Sequence, residues 1–444
     1  MNALWNLRLE TGPLPTVVYC LSVAAFIALA TKRPLRRWLP VQLAGGVVGV
    51  GVGYLLAWLI SDVWNTFGLS LTPLTRLWFG LGIGGIGFAL AGIWRSRPWR
   101  VALAASSVLL FAVMGGVGVN VDAAEFPTLG SALGVGHVSP LAIPTPSQAP
   151  PSQAPTSQAL PPALQSTASL AQTWRPPADL PAAGTVGTVT IPATASHFVA
   201  RSAIVYLPPA ALVKNAPRLP VLEMLSGQPG APASLLTSGN LANILNAYAH
   251  DHRGLAPIVV IPDQLGAPQL NPMCLDSPLG NVETYLAVDV PDWINSHLHV
   301  LQDRRDWAIG GFSEGGTCSI QLGAKFRGLY GSIFDVSGQL APVRGTVAAT
   351  IASAFGGSAP AYHAASPLAL MAAGAPYADT LGIFAVGQND TRYGVAAATV
   401  SQAATAAGMT VHVIRSPGTA HDWHTVQYAL HESLPILYAR WGLS

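Results

Sequence analysis

Four uninterrupted apolar runs near the N-terminus constrain this chain more than any other feature. They cover about Leu14–Thr31, Pro40–Ser61, Leu77–Trp94 and Val101–Val119, each 18 to 22 residues long and free of Asp, Glu, Lys and Arg. Helices of that length reach across a ~30 Å hydrocarbon core. Helices buried in water-soluble domains average ~10–14 residues. Residues 1–120 are therefore expected to form a four-helix transmembrane domain. Composition agrees, since only 9% of the 444 residues are charged, against ~25% in ordinary soluble domains.

The connections between the runs give an orientation. Lys32, Arg33, Arg36 and Arg37 separate runs one and two, and Arg95, Arg97 and Arg100 separate runs three and four. The loop from Asp62 to Arg76 has a single arginine, at its end. Cationic loops stay on the cytoplasmic side. The N-terminus and everything after Val119 are then expected outside, in the cell envelope. A cleaved signal peptide does not fit run one, because its basic residues follow the apolar stretch instead of preceding it. Gly45, Gly49 and Gly53 share one face of the second run, as Gly80 and Gly84 do in the third, which suits close packing within the bundle. No ionisable side chain lies inside any run, so an ion-coupled transporter is disfavoured and a lipid-embedded anchor is expected.

Residues 121–183 read as an extracytoplasmic linker. Ala123–Gly134 suits a short interfacial segment. Pro146–Ala159 is a degenerate Pro-Ser-Gln-Ala repeat, a composition that cannot bury a core. At ~3.1 Å per residue, about 40 such residues would extend on the order of 100 Å. That reach would let the following domain work away from the bilayer.

From residue 184 to 444 apolar runs of strand length alternate with helical patterns. Strands are expected at Thr185–Ile191, Ala200–Leu207, Val221–Leu225, Pro257–Ile261, Asp306–Gly310, Gly331–Asp335, Leu381–Val386 and Thr410–Arg415. Helices are expected at Ala233–His250, Asn281–His297, Glu314–Phe326, Ser366–Ala373, Val395–Gly408 and Thr425–Ala439. Buried runs separated by helices predict an α/β domain with a mostly parallel sheet. The net charge of +2 and the lack of a basic stripe outside the apolar region give no support for nucleic-acid binding.

Within this region Gly311-Phe-Ser-Glu-Gly315 is a G-x-S-x-G between an apolar strand and a helix. With 45 glycines in the chain the pattern alone is weak; the strand–turn–helix context is what a nucleophile elbow requires. Ser313 is then a candidate nucleophile. Leu222–Gly230 runs from a strand into a Gly-containing loop, where such sheets supply one oxyanion N–H. The candidate donors are the backbone N–H groups of Gln228 and Glu314, the second being the residue after the serine. Asp390, at the end of an apolar strand, is the candidate acid, with Asp422 and Asp379 as rivals. His421, after the flexible Ser416-Pro-Gly-Thr-Ala loop, is the candidate base, with His424 in reserve. A base needs a carboxylate to fix its tautomer and to stabilise the imidazolium.

Gly311–Gly316, Tyr206-Leu-Pro-Pro209 and the Gly418-x-x-His421-Asp-Trp423 ending resemble the putative-esterase branch of the α/β-hydrolases. That branch includes S-formylglutathione hydrolases and the secreted mycolyltransferases of actinobacterial envelopes. The resemblance spans about Val186 to Gly442. It implies esterase chemistry, with Ser313 as nucleophile and His421 as base. Mycolyltransferases use a glutamate as acid in a different local sequence, and Asp390 fits the broader esterase pattern. Secreted mycolyltransferases also lack the membrane bundle and the Pro-rich linker.

Cys20 lies in the first apolar run. Cys274, in a turn-rich loop, and Cys318, five residues after Ser313, are candidates for an extracytoplasmic disulfide. The alternative is two buried thiols. Neither cysteine has His or Cys neighbours at metal-ligand spacing, so no metal site is expected, and no cofactor is implied. The function expected is a membrane-anchored, extracytoplasmic serine esterase or acyltransferase, with the bilayer as partner. Its candidate substrates are esters, including envelope lipids and acylated sugars. The other reading is a catalytically silent scaffold module of the envelope. No residue pattern fixes the acyl chain, the acceptor or the oligomeric state.

Overall fold

A computed structural model describes residues 2–64, 68–134, 138–142 and 169–444. The Pro146–Ala159 repeat lies outside the described residues. By proximity of residues the chain divides into two compact units. One is the N-terminal helical region joined by Gly387–Arg392 and Ser416–Thr425; the other holds the remainder of the α/β region.

In the helical region α1 (Pro13–Ala30), α2 (Leu35–Trp58), α3 (Pro73–Ile93) and α4 (Pro98–Ala123) are long and apolar enough to cross a membrane. Three of them begin on a proline, whose missing N–H is no loss in a first turn. The last three helices are longer than their apolar runs. α2 starts at Leu35, with Pro40 in its second turn, and continues in a π turn, Leu59–Val63. α4 extends through Asp122, whose carboxylate accepts hydrogen bonds from the Thr72 hydroxyl and, at 2.5 Å, from that of Thr75. Asp122, three residues past the fourth apolar run, thus lies in the last turn of the helix.

The glycine face of α2 is used against α3. A Cβ at Gly45, Gly49 or Gly53 would fall 2.7, 2.5 and 2.5 Å from the carbonyl oxygens of Gly87, Ile83 and Phe79. Backbone meets backbone along this seam, as small-residue faces permit. Leu29 of α1, Phe88 and Ala89 of α3, and Ala104 and Phe111 of α4 form a buried apolar cluster.

The α/β region is built on an eight-stranded sheet. In chain order its strands are β1 (Thr185–Val189), β2 (Ala203–Leu207), β3 (Val221–Leu225), β4 (Ile258–Ile261), β5 (Trp307–Phe312), β6 (Ser332–Val336), β7 (Leu381–Gly387) and β8 (Thr410–Ser416). Their spatial order is 1-2-4-3-5-6-7-8. β1 and β2 pair antiparallel, as do β2 and β4; the pairs β3–β4, β3–β5, β5–β6 and β6–β7 are parallel. β5 is buried at every residue. Leu225 pairs with Gly311, so β3 and β5 end at one level, and the loops leaving them are neighbours. The main helices are α5 (Leu241–Asp251), α6 (Val290–His297), α7 (Glu314–Lys325), α8 (Pro367–Gly374), α9 (Tyr393–Ala406) and α10 (Trp423–Trp441). Ile320 and Ala324 of α7 join Ile333, Met371, Phe384 and Val400 in one core cluster.

Several boundaries differ from expectation for local reasons. The helix expected at Ala233–His250 breaks into Pro232–Thr237 and α5, because Asn240 adopts a left-handed conformation, φ 52°. The helix expected at Asn281–His297 passes through a π turn, Tyr285–Asp289, just before Pro291, whose missing N–H disfavours a regular ladder there. β2 starts three residues late. The Arg201 N–H donates to Asp263 at 2.7 Å instead of to a strand, and its guanidinium pairs with the same carboxylate. Val347–Ala354 and Ala359–Ala364 are helices in a Gly/Ala-rich stretch to which the sequence pattern assigns no element.

Candidate active site

Ser313 stands between β5 and α7. Its backbone, φ 59° and ψ −113°, is strained for a residue with a side chain, a cost of roughly 1–3 kcal/mol that the surroundings must offset. Its N–H donates to Val336 O on β6 at 2.8 Å, and its carbonyl accepts from Thr317 N–H at 3.0 Å. The flanking glycines are there for space. A Cβ on Gly315 would lie 2.4 Å from Leu225 O and 2.5 Å from Ser226 O, and one on Gly311 would lie 2.4 Å from the Gly315 carbonyl. Strand, turn and helix close on one another only without side chains at these two positions.

The loop after β3 runs beside this turn. A Cβ added to Gly227 would come 3.5 Å from Ser313 Cβ and 3.3 Å from the Phe312 ring. The loop is fastened by the buried side chain of Gln264. Its Nε2 donates to Ser226 O at 2.6 Å and to the Glu314 carboxyl at 3.1 Å. One amide therefore joins the segments carrying the two expected oxyanion donors, Gln228 and Glu314. On its other side the loop meets residues 268–269, where Gly230 N–H donates to Pro268 O at 3.2 Å and Gln228 Nε2 to Gln269 O at 3.3 Å.

Cys274 and Cys318 are joined, with Sγ–Sγ 2.06 Å. Glu314 Oε1 lies 3.0 Å from the Cys318 sulfur and 3.7 Å from that of Cys274. Disulfide sulfurs carry no hydrogen, so these are packing contacts. For the same reason the trio offers no thiolate and makes no metal site. Burial pushes the Glu314 carboxyl up to about 7, with the Gln264 bond opposing. Asp335, at the end of β6, is pushed up to about 7 by burial while accepting from Gly338 N–H at 2.8 Å.

Asp390 and His421 are brought together. His421 Nδ1 and Asp390 Oδ2 are 3.1 Å apart, with side chains 6% and 2% exposed. Their loops clasp each other: Gln388 N–H donates to Ser416 O at 2.9 Å and Asn389 N–H to Thr419 O at 2.8 Å. A Cβ on Gly387 would sit 2.2 Å from Ala420 O. The rival acids are engaged elsewhere. Asp422 accepts from Thr425 N–H at 2.9 Å and Ala420 N–H at 2.6 Å, capping α10. Asp379 pairs with Arg440 at 3.1 Å. His424, the reserve base, points Nε2 at Val121 O, 3.0 Å away. Gln264 had no signal in sequence, since a glutamine three residues past an apolar strand has no motif.

The strand order, the parallel centre and the strained serine after β5 define an α/β-hydrolase. The profile of the "Putative esterase" family matches residues 200–434, and the chain belongs to that family. It is accordingly a carboxylic-ester hydrolase or acyltransferase. An uncharacterised protein of Corynebacterium glutamicum is 31% identical over 432 residues, covering 95% of this chain and 94% of its own. Among solved structures, a ferulic acid esterase is 18% identical, covering 58% of this chain and 98% of its own at a TM-score of 0.49. An S-formylglutathione hydrolase from Agrobacterium tumefaciens is 20% identical, with 59% and 96% covered and a TM-score of 0.48. MPT51 of Mycobacterium tuberculosis is 18% identical, with 57% and 98% covered and a TM-score of 0.41.

Proposed function

We propose that the chain is a membrane-anchored, extracytoplasmic serine esterase or acyltransferase working through Ser313, His421 and Asp390. The observation that carries this reading is the backbone of Ser313, held at φ 59° at the head of α7, a conformation whose use is to expose a nucleophile. The Asp390–His421 bond supports the rest, since it places an acceptor on one ring nitrogen and leaves the other to act as base.

In the first step Ser313 Oγ bonds to the ester carbonyl carbon while His421 takes the hydroxyl proton. The alkoxide that forms is stabilised by the backbone N–H groups of Gln228 and Glu314. Loss of one such donor typically costs ~3–4 kcal/mol of transition-state stabilisation. The ester C–O bond then breaks as His421 returns its proton to the departing alcohol, leaving acyl-Ser313. Water, or an alcohol such as a sugar hydroxyl, then attacks the acyl carbon and gives its proton to His421. His421 passes that proton to Ser313 Oγ as the acyl–oxygen bond breaks and the acid or new ester leaves. Envelope lipids and acylated sugars are the substrates this reading favours.

In the same reading residues 1–120 cross the membrane, 121–183 link and 184–444 carry the chemistry outside. The Cys274–Cys318 bond supports that side, because disulfides persist in oxidising compartments. A fluorophosphonate probe will label the wild type and spare Ser313→Ala, and hydrolysis of a short nitrophenyl ester will fall by about 10³-fold or more. Equal labelling of both proteins overturns the reading, and an unlabelled wild type that also fails to hydrolyse the ester favours a silent scaffold.

A further inference from the structure

The Asp390 bond sets the tautomer of His421 but does not by itself fix the loop that carries it. Ser416–Thr425 reaches helical structure only at Trp423. Two side chains just after His421 hold it from the other side, and both partners lie at the end of the fourth apolar helix. Trp423 Nε1–H donates to Glu125 Oε2 at 2.8 Å, and His424 Nε2 faces Val121 O at 3.0 Å. All of these residues belong to the first unit.

The partner side is itself braced. α4 is capped by Ala124, in a left-handed conformation at φ 52°, whose N–H donates to Asn120 O at 2.8 Å. The Asn120 amide clasps Phe126 by two bonds, donating to its carbonyl at 2.9 Å and accepting from its N–H at 2.8 Å. Glu125 lies inside that clasp, so its carboxylate is presented from a fixed turn. Trp423 is 5% exposed, and a buried indole N–H needs an acceptor; a carboxylate makes that bond charge-assisted.

We propose that Glu125 and Trp423 are positioning residues for His421, so that the end of the fourth apolar helix is part of the hydrolytic apparatus. This rests on His421 being the base. Under this proposal the loop bearing the base is fastened within a few residues of the fourth apolar helix. Glu125 touches neither substrate nor reacting atoms; it acts through Trp423, two residues from His421.

The test uses the full chain in lipid nanodiscs, with a short nitrophenyl ester and the variants Glu125→Leu, Trp423→Phe, their combination, and Glu125→Gln. Glu125→Leu and Trp423→Phe should each lower kcat by about tenfold, since small misplacements of a catalytic group have effects of this order or larger. KM should stay within about twofold, as it would when only the base is displaced. The double variant should be no worse than either single, because both remove one bond. Glu125→Gln should recover most of kcat, its amide oxygen still accepting the indole N–H. Glu125 is on the surface, so its variants remain informative if Trp423→Phe fails to fold. A kcat within twofold of wild type in Glu125→Leu, losses that multiply in the double variant, or a change in KM alone overturns the proposal. Wild-type labelling confined to Ser313 alongside indifference to Glu125 defeats this inference and not the triad; undiminished labelling of Ser313→Ala defeats the triad.

Discussion

Ser313 and Glu314 are adjacent residues with opposite demands. The serine must face outward from a strained turn, while the glutamate side chain is carried inward, to 6% exposure, beside Gln264 and the disulfide. Burial raises the Glu314 carboxyl from 4.5 to about 7. The folded protein therefore holds this proton more tightly than the unfolded chain. The stability linked to it is fully present below about 4.5 and is lost as pH rises through about 7. Glu223, pushed up to about 8, and Asp335, up to about 7, act in the same direction. The thermal midpoint of the wild type should fall between pH 5 and 8, and Glu314→Gln should flatten that fall; parallel curves for the two proteins would refute the assignment. The strained turn at Ser313 was legible because its motif encodes that backbone need. The inward role of Glu314 was not, since a glutamate in a motif is silent about which way its side chain turns.

At the level of elements, β5 is the axis of the α/β region, and what it positions depends on its neighbours ending level with it. The strands' places along the chain followed from runs of Val, Ile, Leu and Phe, and the His421 and Asp390 loops followed from their places after β8 and β7. What escaped the pattern were irregular stretches decided by single residues, the left-handed Asn240 and the π turn ahead of Pro291. The loop from Cys274 to Cys318 spans 44 positions, for which chain entropy allows about 4 kcal/mol of stabilisation. Reduction should lower the unfolding midpoint of the α/β region and make the segment around residues 268–274 more open to proteolysis. Scanning calorimetry with and without reductant checks the first, and an unchanged midpoint would show that the bond restrains nothing important.

For the whole molecule, the four long apolar helices could be read directly because each leaves an unbroken apolar run in the sequence. The contact between Trp423 and Glu125 could not, since 298 positions separate them. The orientation proposed for the spans gives its own outcome. In a Cys20→Ser background, a membrane-impermeant maleimide applied to intact cells should modify Val199→Cys, a site 84% exposed, and leave Arg97→Cys untouched until the cells are permeabilised. The reverse pattern would turn the topology over.

Gln264 links the carbonyl of Ser226 to the carboxyl of Glu314 through one amide nitrogen, and its consequence is one of timing. For the oxyanion hole proposed at Gln228 and Glu314, the distance between donors is settled when the chain folds. The ordering is then done once in the life of the molecule and not again with each ester that arrives. Durability and turnover come to depend on the same bond, so a change that loosens it weakens both together.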